Sequence, residues 1–394
     1  MRKSVLLFTL GSIFSPAMIS AQTVTTAMAD QSIAAFNTVY WNATGKYFHK
    51  LDNRTGRLDY WMTAEAWEMA MDVYVRTRTP ASLQQITDVY DGFIQNWGTN
   101  WTTNSYNDDI MWWVLACTRA YEITGNIRYR DQAKLHFDWI WSTQTDNTFG
   151  GGIWWQNSQH LSKNSCIVGP ATIAAANLAR ILGDNTYRVK AESLYAWQKR
   201  TLTETTGKVY DNISATGTSR GSTTYNQGTF IGAALALNYL PSADLCATWT
   251  RNNLCDANGV LRNTTQGDFA TFNQICIRYV IQLARLPNHA VTMTWMQTNG
   301  VTAWNNRRTS DNIMGFNWAA AAPATGIESQ GAAGGVALLN LLATPSVPIR
   351  PLLQKTKYND ENLSINRMNH GITVIQTQNG MRALDGSKIW RIRD

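Results

Sequence analysis

The chain has 394 residues, of which only 15% are charged, and it is rich in tryptophan (17 residues) and tyrosine (15 residues). Globular proteins typically carry about 25% charged residues, so this chain relies on neutral polar groups. Its net charge of +7 includes no basic run of the kind that binds nucleic acid. Neutral hydrogen-bonding groups beside aromatic faces suit an uncharged, hydroxyl-rich ligand, although large aromatic side chains are also common in protein cores.

The N-terminus has the pattern of a secretory signal. Arg2 and Lys3 precede a short apolar run at 5–13, and small residues at 19–21 offer a cleavage site. The run is too short to span a bilayer as a stable helix, and no later stretch is expected to be long and apolar enough to be transmembrane. We therefore predict a signal peptide over residues 1–21, and a bacterial protein that is secreted, periplasmic or at the cell surface.

Residues 22–345 form one predicted all-α domain. Apolar residues recur at helical spacing in several segments, and clusters of Gly, Asn, Thr and Asp separate them. The segments are 62–74, 110–123, 171–182, 230–239, 272–286 and 331–342.

An internal repeat indicates how these helices are arranged. Residues 124–130 match residues 182–188 at an offset of 58, and each copy comprises an apolar helix, a Gly-containing turn and a more amphipathic helix. Repeats of this size indicate helical hairpins that bury their faces against their neighbours, and a domain of this length holds about six of them. The predicted fold is an (α/α)6 toroid, and an open solenoid is the alternative.

Residues 346–394 differ in character from the helical domain. Pro345, Pro348 and Pro351 indicate a linker, residues 371–380 have the pattern of a strand that reaches an Asn-Gly turn, and residues 388–393 resemble a second strand. We predict a linker followed by a small β-rich appendage or a sorting tail.

Five cysteines occur in the chain, so they cannot all pair within it. Cys117 and Cys276 lie in apolar helical runs and are predicted to be buried thiols. Cys246 and Cys255 are candidates for a local disulfide bridge. No Cys/His spacing resembles a metal site, and no metal or organic cofactor is predicted.

The adjacent carboxylates Asp108 and Asp109 open an apolar helical pattern and are followed by Trp112 and Trp113. Acidic residues at a helix start can simply cap it. Two adjacent acids beside indoles, however, oppose each other's ionisation, which raises a carboxyl pKa. One ionised and one protonated carboxyl, about 5–5.5 Å apart, is what a retaining glycosidase requires.

The repeat tests whether the fold itself needs this pair of acids. At the offset of 58 residues, Asp108 and Asp109 align with Cys166 and Ile167. The neighbouring hairpin therefore begins its first helix without a carboxylate. The scaffold does not require acids at this position, and this favours a chemical role for the pair.

Further polar and aromatic segments lie just before or between the helices. They are the loop at 150–155 with three glycines and two tryptophans, the segments 163–165 and 225–228, and the loop acid Asp211. Glycines let the backbone approach a ligand closely. Each of these segments can also be read as an ordinary loop, turn or helix cap.

The order of these motifs resembles glycoside hydrolase family 76. The motifs are Asp-Asp-x-x-Trp-Trp, Gly-Gly-x-x-Trp, Lys-Asn-x followed by Gly-Pro, Tyr-Asn-Gln-Gly, and the segment at 272–279. The resemblance implies an (α/α)6 barrel and a retaining endo-α-1,6-mannanase, with Asp108 as nucleophile and Asp109 as general acid/base. One departure concerns fine specificity, because Phe272-Asn273-Gln274-Ile275 stands where the family has Phe-Lys-Gly-Ile.

The resulting hypothesis is a secreted, monomeric retaining glycoside hydrolase acting on α-1,6-mannan or manno-oligosaccharides. The alternatives are a non-catalytic glycan-binding protein on the same fold and a transglycosylase acting on wall glycans. The candidate substrate-binding residues are Trp61, Trp112, Trp113, Gly151, Gly152, Trp154, Asn164, Asp211, Tyr225, Asn226, Gln227 and Phe272.

Overall fold

The computed structural model describes residues 22–263 and 265–344, together with four strands between residues 364 and 391. The predicted signal peptide and the proline-rich linker lie outside the described residues. Twelve α-helices occupy the first two ranges: α1 Thr26–Tyr40, α2 Tyr60–Thr77, α3 Pro80–Trp97, α4 Asn107–Thr124, α5 Ile127–Thr143, α6 Ser165–Leu182, α7 Asn185–Thr201, α8 Thr224–Leu237, α9 Leu240–Asn253, α10 Phe269–Ala284, α11 Ala290–Asn305 and α12 Ser329–Ala343.

The even-numbered helices form a closed inner ring. Each of them contacts the next one along the chain, and α12 packs back against α2. The odd-numbered helices lie outside this ring, with α3, α5, α7, α9 and α11 each packed on the helix before it and α1 packed on α12. The predicted (α/α)6 toroid is confirmed, and the open solenoid is excluded because the ring closes.

The inner helices are apolar on nearly all sides, since each is covered by two inner neighbours and one outer helix. Close packing depends on small residues. A Cβ atom on Gly232 of α8 would lie 2.4 Å from the Tyr279 ring of α10. Helix α6 is even long and apolar enough to cross a membrane by length and composition, contrary to the prediction from the sequence. Most of its residues are buried inside the toroid, as in the core helix of a globular domain.

The sequence repeat corresponds to two equivalent hairpins. Helices α4 and α6 both have 18 residues, and both end at a left-handed glycine, Gly125 with φ 71° and Gly183 with φ 64°. The outer helix then begins at a side-chain cap, Asn126 in one copy and Asp184 in the other.

Short strands lie in the loops that lead into the helices. β1 (Trp41–Asn42) pairs with β2 (Tyr47–Phe48), and β3 (Ser162–Asn164), β4 (Asn212–Ser214) and β5 (Gly217–Ser219) form a three-stranded antiparallel sheet. Strand β3 runs directly into α6, so this sheet lies where an inner helix begins.

A separate antiparallel sheet forms near the C-terminus. Its strands pair in chain order: β6 (Ser364–Met368), β7 (Ile372–Thr377), β8 (Gly380–Asp385) and β9 (Lys388–Arg391). The two predicted strands correspond to β7 and β9. Strands β6 and β8 were not predicted.

All five cysteines are free and buried, which confirms the prediction for Cys117 and Cys276. The bridge suggested between Cys246 and Cys255 is wrong. Cys246 lies on α9, and its thiol lies 2.7 Å from the side-chain amide of Gln227. Cys255 lies beyond the end of that helix, and its backbone pairs with Leu261.

A buried ionic cluster crosses the inside of the ring. Three acids of α2, Glu65, Glu68 and Asp72, face Arg119 of α4 and Arg278 of α10. Arg278 donates to Glu65 at 2.9 Å and lies 3.5 Å from Asp72. Burial raises the pKa of Glu65 to about 7 even though Arg278 opposes this shift. The three acids are spaced i, i+3 and i+7, a pattern inside an apolar run that could have revealed the cluster from sequence.

Candidate active site

Four inner helices direct aromatic side chains toward one another near their N-terminal ends. The ring centroids of Trp61 and Trp112 are 6.1 Å apart, and Trp112 lies 6.4 Å from Tyr225. Tyr225 stacks on Phe272 at 3.9 Å, and Phe272 lies 6.5 Å from Trp61. The structure therefore brings together four predicted ligand-binding aromatics from α2, α4, α8 and α10. We call this set the aromatic wall.

The second residue of each of the first four inner helices belongs to this region. These residues are Trp61 of α2, Asp108 of α4, Cys166 of α6 and Tyr225 of α8. The second residue of each inner helix lies at the same end of the ring, so the side chains at this position in neighbouring helices lie close together.

Asp108 and Asp109 occupy the first turn of α4. Burial raises the pKa of Asp108 to about 6, and hydrogen bonds from the Cys166 thiol and the Trp155 indole oppose this shift. The backbone amides at the start of α4 also act to lower this pKa, while the Oδ1 atom of Asp108 is buried with no hydrogen-bond partner among the described residues.

Asp109 has the higher pKa of the pair. Burial raises it to about 8, the negative charge of Asp108 adds to the shift, and the charge of Asp268 contributes in the same direction. A hydrogen bond from Asn104 Nδ2 to Asp109 Oδ2, 3.0 Å long, opposes them. Near neutral pH the pair therefore shares one proton, which resides mainly on Asp109.

Asp211 lies near Cys166 and Tyr225, which are also close to Asp108. Its carboxylate accepts hydrogen bonds from Asn226 Nδ2 at 3.0 Å and Asn212 Nδ2 at 2.8 Å, while its backbone oxygen accepts from the Ser165 amide at the start of α6. Its charge helps to raise the pKa of Tyr225, after the larger effects of burial and Cys166. The structure thus brings the predicted Asp211, Asn226 and Tyr225 together.

Three of the predicted residues make contacts within the scaffold. Trp113 stacks on Phe93 at 3.5 Å in the core. Asn164 accepts from the Ser162 hydroxyl at 2.7 Å, and the buried Gln227 amide bonds the loop before β4.

The loop at 150–155, which we call the glycine loop, also has a structural role. Gly152 has φ 81°, and a Cβ atom there would lie 2.8 Å from the Trp197 ring. The carbonyl groups of Gly151 and Gly152 accept from the buried Lys163 ammonium at 2.9 Å and 3.5 Å. These glycines thus allow the loop to lie on Trp197 and to enclose the cation of Lys163.

The two neighbouring tryptophans of this loop have different partners. Trp154 stacks on His160 and donates its indole N–H to Asp146 at 2.9 Å. Trp155 instead reaches Asp108. Successive side chains of an extended segment point to opposite sides, which separates the two indoles.

A cavity of about 440 Å³ adjoins the aromatic wall at Phe272. It lies between the starts of α8 and α10, and Phe269, which is 54% exposed, also lines it. Asn273, at the departure from the family pattern, lines the cavity and accepts from the Thr224 hydroxyl at 2.8 Å. The polar lining includes Arg262 and Asn263.

Comparison with known proteins identifies one family. The family model described as Glycosyl hydrolase family 76 matches residues 24–349. Among solved structures, the GH76A α-1,6-mannanase of Salegentibacter sp. HEL1_6 is 29% identical with a TM-score of 0.75, and the match covers 80% of this chain and 98% of that one. An inactive variant of the same mannanase, in which two consecutive aspartates are replaced by asparagines, has been solved with α-1,6-mannotriose.

Fungal relatives are also similar. The mannan endo-1,6-alpha-mannosidase DCW1 of Candida glabrata is 27% identical over 298 residues, and that of Saccharomyces cerevisiae is 26% identical over 299 residues. Each match covers 66% of this chain but only 64% of the relative, so the chain spans a little less than two thirds of these fungal proteins.

Proposed function

The chain belongs to glycosyl hydrolase family 76, and from this premise we propose that it is a retaining glycoside hydrolase that cleaves α-1,6-mannosidic bonds within mannan. The observation that carries the proposal is the adjacent pair Asp108 and Asp109, whose pKa values are about 6 and about 8, beside the aromatic wall. The mannotriose complex of the similar mannanase, obtained with two consecutive aspartates replaced, supports the same substrate and the same type of site.

In the first step, ionised Asp108 attacks the anomeric carbon and forms a mannosyl-enzyme ester. Asp109, protonated, donates its proton to the departing glycosidic oxygen. The lower pKa of Asp108 suits a nucleophile, and the higher pKa of Asp109 suits an acid.

In the second step, Asp109 acts as a base. Having lost its proton, it takes one from a water molecule that attacks the anomeric carbon, and Asp108 leaves as a carboxylate. The charge on Asp108 is absent while the ester exists, which lowers the pKa of Asp109 to suit this reversed role. Two inversions at the anomeric carbon give net retention.

The aromatic wall and the cavity beside Phe272 supply the substrate-binding surface. Rings such as Tyr225 and Phe272 offer flat apolar faces for the C–H faces of mannose, and Asp211 with Asn226 offers hydrogen-bond partners for hydroxyl groups. Secretion, as the N-terminal pattern predicts, would bring the enzyme to extracellular mannan.

Incubation with linear α-1,6-mannan tests the proposal. We expect shorter α-1,6-manno-oligosaccharides, with the α-anomer formed first in proton NMR spectra. Binding of mannan without any turnover would favour a non-catalytic glycan-binding protein. Larger products at high acceptor concentration would favour a transglycosylase.

The pH profile is expected to follow the two carboxyls. Activity requires Asp108 ionised and Asp109 protonated, so kcat/KM on mannan should fall below about pH 6 and above about pH 8. Asp268→Asn removes a charge that raises the pKa of Asp109. The alkaline limb of the pH profile, which is the fall of kcat/KM above about pH 8, should therefore move to lower pH. An alkaline limb that moved to higher pH in this variant would contradict the assignment. Asp268 makes no side-chain cap bond, so the fold of α10 should be unaffected.

Removing one ring of the aromatic wall should weaken binding. We expect Phe272→Ala to raise KM for α-1,6-mannan about 3- to 10-fold with little change in kcat, because an aromatic contact contributes about 0.5–1.5 kcal/mol. Tyr121→Ala is the control, since Tyr121 lies at the opposite end of α4. Equal KM values for Phe272→Ala and Tyr121→Ala would show that Phe272 does not contribute to substrate binding.

A further inference from the structure

A backbone contact fixes the orientation of the Asn104 side chain independently of Asp109. Its Oδ1 atom accepts the backbone N–H of Tyr106 at 2.9 Å, and a backbone N–H can only donate. The amide nitrogen must therefore face the other way, where it lies 3.0 Å from Asp109 Oδ2. The orientation of this side chain follows from the turn that precedes α4.

The turn that contains Asn104 is held by the end of the glycine loop and by the segment that follows it. Asn157 donates from its side chain to the carbonyl of Asn104 at 2.7 Å, and its backbone N–H donates to the carbonyl of Ser105 at 3.0 Å. The Asn107 amide in turn donates to the Trp155 carbonyl at 2.8 Å. The loop that brings Trp155 to Asp108 therefore also holds Asn104 in place.

We infer that Asn104 is a positioning residue that selects which oxygen of Asp109 carries the catalytic proton. The inference rests on the proposed function. An N–H donor bound to Oδ2 makes that atom the acceptor of the carboxyl group, so the proton resides on Oδ1. Asn104 donates to both the protonated and the ionised form of Asp109, and it bonds the ionised form more strongly.

The side-chain N–H of Asn104 opposes the effect of neighbouring acids on the pKa of Asp109. Asp108 on the same helix and Asp268 at the start of α10 disfavour ionisation of Asp109 by their charge, and the Tyr60 phenol of α2 lies within its electrostatic range. Asn104 is the group that favours the ionised form. It therefore makes Asp109 a stronger acid in the first step and stabilises the carboxylate that serves as base in the second.

Two variants of Asn104 distinguish the loss of its N–H donor from a disturbance of the turn that it forms with Tyr106. Asn104→Ala removes both the donor and the oxygen that accepts from the Tyr106 N–H. Asn104→Asp keeps that oxygen and replaces the donor by a carboxylate, whose charge adds to the rise in the pKa of Asp109. Asn100→Ala is the matched control, because Asn100 makes the same kind of turn to the Thr102 N–H at 3.3 Å in the same loop.

We expect both Asn104 variants to lower kcat on α-1,6-mannan roughly 10- to 100-fold, as for loss of one hydrogen bond to a charged group. The alkaline limb should shift to higher pH, because the pKa of Asp109 rises without its donor. The burst of dinitrophenolate from 2,4-dinitrophenyl α-1,6-mannobioside should slow less than about 3-fold, since such a leaving group departs without a proton. Asn100→Ala should match the wild type in all three measurements.

Equal losses on mannan and on the dinitrophenyl substrate, or an unchanged alkaline limb, would overturn the role of Asn104. The proposed function has its own test. If Asp109→Asn is inactive on mannan while both Asn104 variants behave as wild type, only this inference fails. If Asp109→Asn keeps full activity, the proposed function fails with it.

Discussion

Asp108→Asn and Asp109→Asn should each lower kcat/KM on linear α-1,6-mannan by about four orders of magnitude or more. Asparagine has nearly the shape of aspartate but can neither form the ester as a nucleophile nor exchange a proton. Losses of this size are typical when one member of a catalytic unit is removed. Release of reducing ends from mannan measures the effect. Asp184→Asn, a change at the cap of the outer helix α7, should keep wild-type activity because the amide oxygen can still accept from the Thr186 N–H.

External azide distinguishes the two aspartates. With Asp109→Ala and the dinitrophenyl mannobioside, azide should replace water in the second step and give the α-glycosyl azide. With Asp108→Ala, azide should enter in place of the missing nucleophile and give the β-glycosyl azide. The reverse pairing of variants and products would exchange the two roles, and wild-type activity in both variants would exclude the mechanism.

Arg278→Met should lower the free energy of unfolding by about 3–5 kcal/mol, because it leaves buried carboxylates of α2 without their second cation. Chemical denaturation monitored by tryptophan fluorescence measures the change. Arg128→Met is the matched control. It removes an exposed ion pair with Asp91, and we expect a loss of at most about 1 kcal/mol.

The loss of unfolding free energy caused by Arg278→Met should be larger at neutral pH than at acidic pH. The pKa of Glu65 in the folded protein is about 7, above its ordinary value of 4.5, so the folded state binds this proton more tightly than the unfolded state. The cost of ionising Glu65 therefore grows between about pH 4.5 and about pH 7 and is constant above pH 7, and it should be larger without Arg278. The double variant with Glu65→Gln should recover part of the stability. Equal destabilisation by Arg278→Met and Arg128→Met would contradict the importance of the cluster.

The inner and outer helices differed in how well the sequence revealed them. All six apolar segments correspond to inner helices, because burial on nearly every side leaves an unbroken apolar pattern such as that of α6. The outer helices face solvent on one side and are more polar. Of these, the repeat predicts α5 and α7, whereas no pattern in the sequence predicts α1, α3, α9 or α11.

The site was predictable to the extent that it sits on helix starts. Asp108, Tyr225 and Phe272 belong to patterned helices whose ends must meet in a toroid, so their convergence follows from the fold. Loop residues follow no such rule. The sequence predicts Trp154 as a ligand-binding residue, but its neighbour Trp155 is the one that contacts Asp108. The contact of Asn104 with Asp109 depends on a turn that no periodicity reveals.

The recurrence of one position, the second residue of each inner helix, also bears on how such proteins diversify. Trp61, Asp108, Cys166 and Tyr225 share this position, and the helix beneath each one folds with an indole, a carboxylate, a thiol or a phenol there. Evolution can therefore exchange the side chain without rebuilding the scaffold. The starts of the inner helices are therefore positions at which a new side chain can enter the site while the ring of helices beneath stays unchanged.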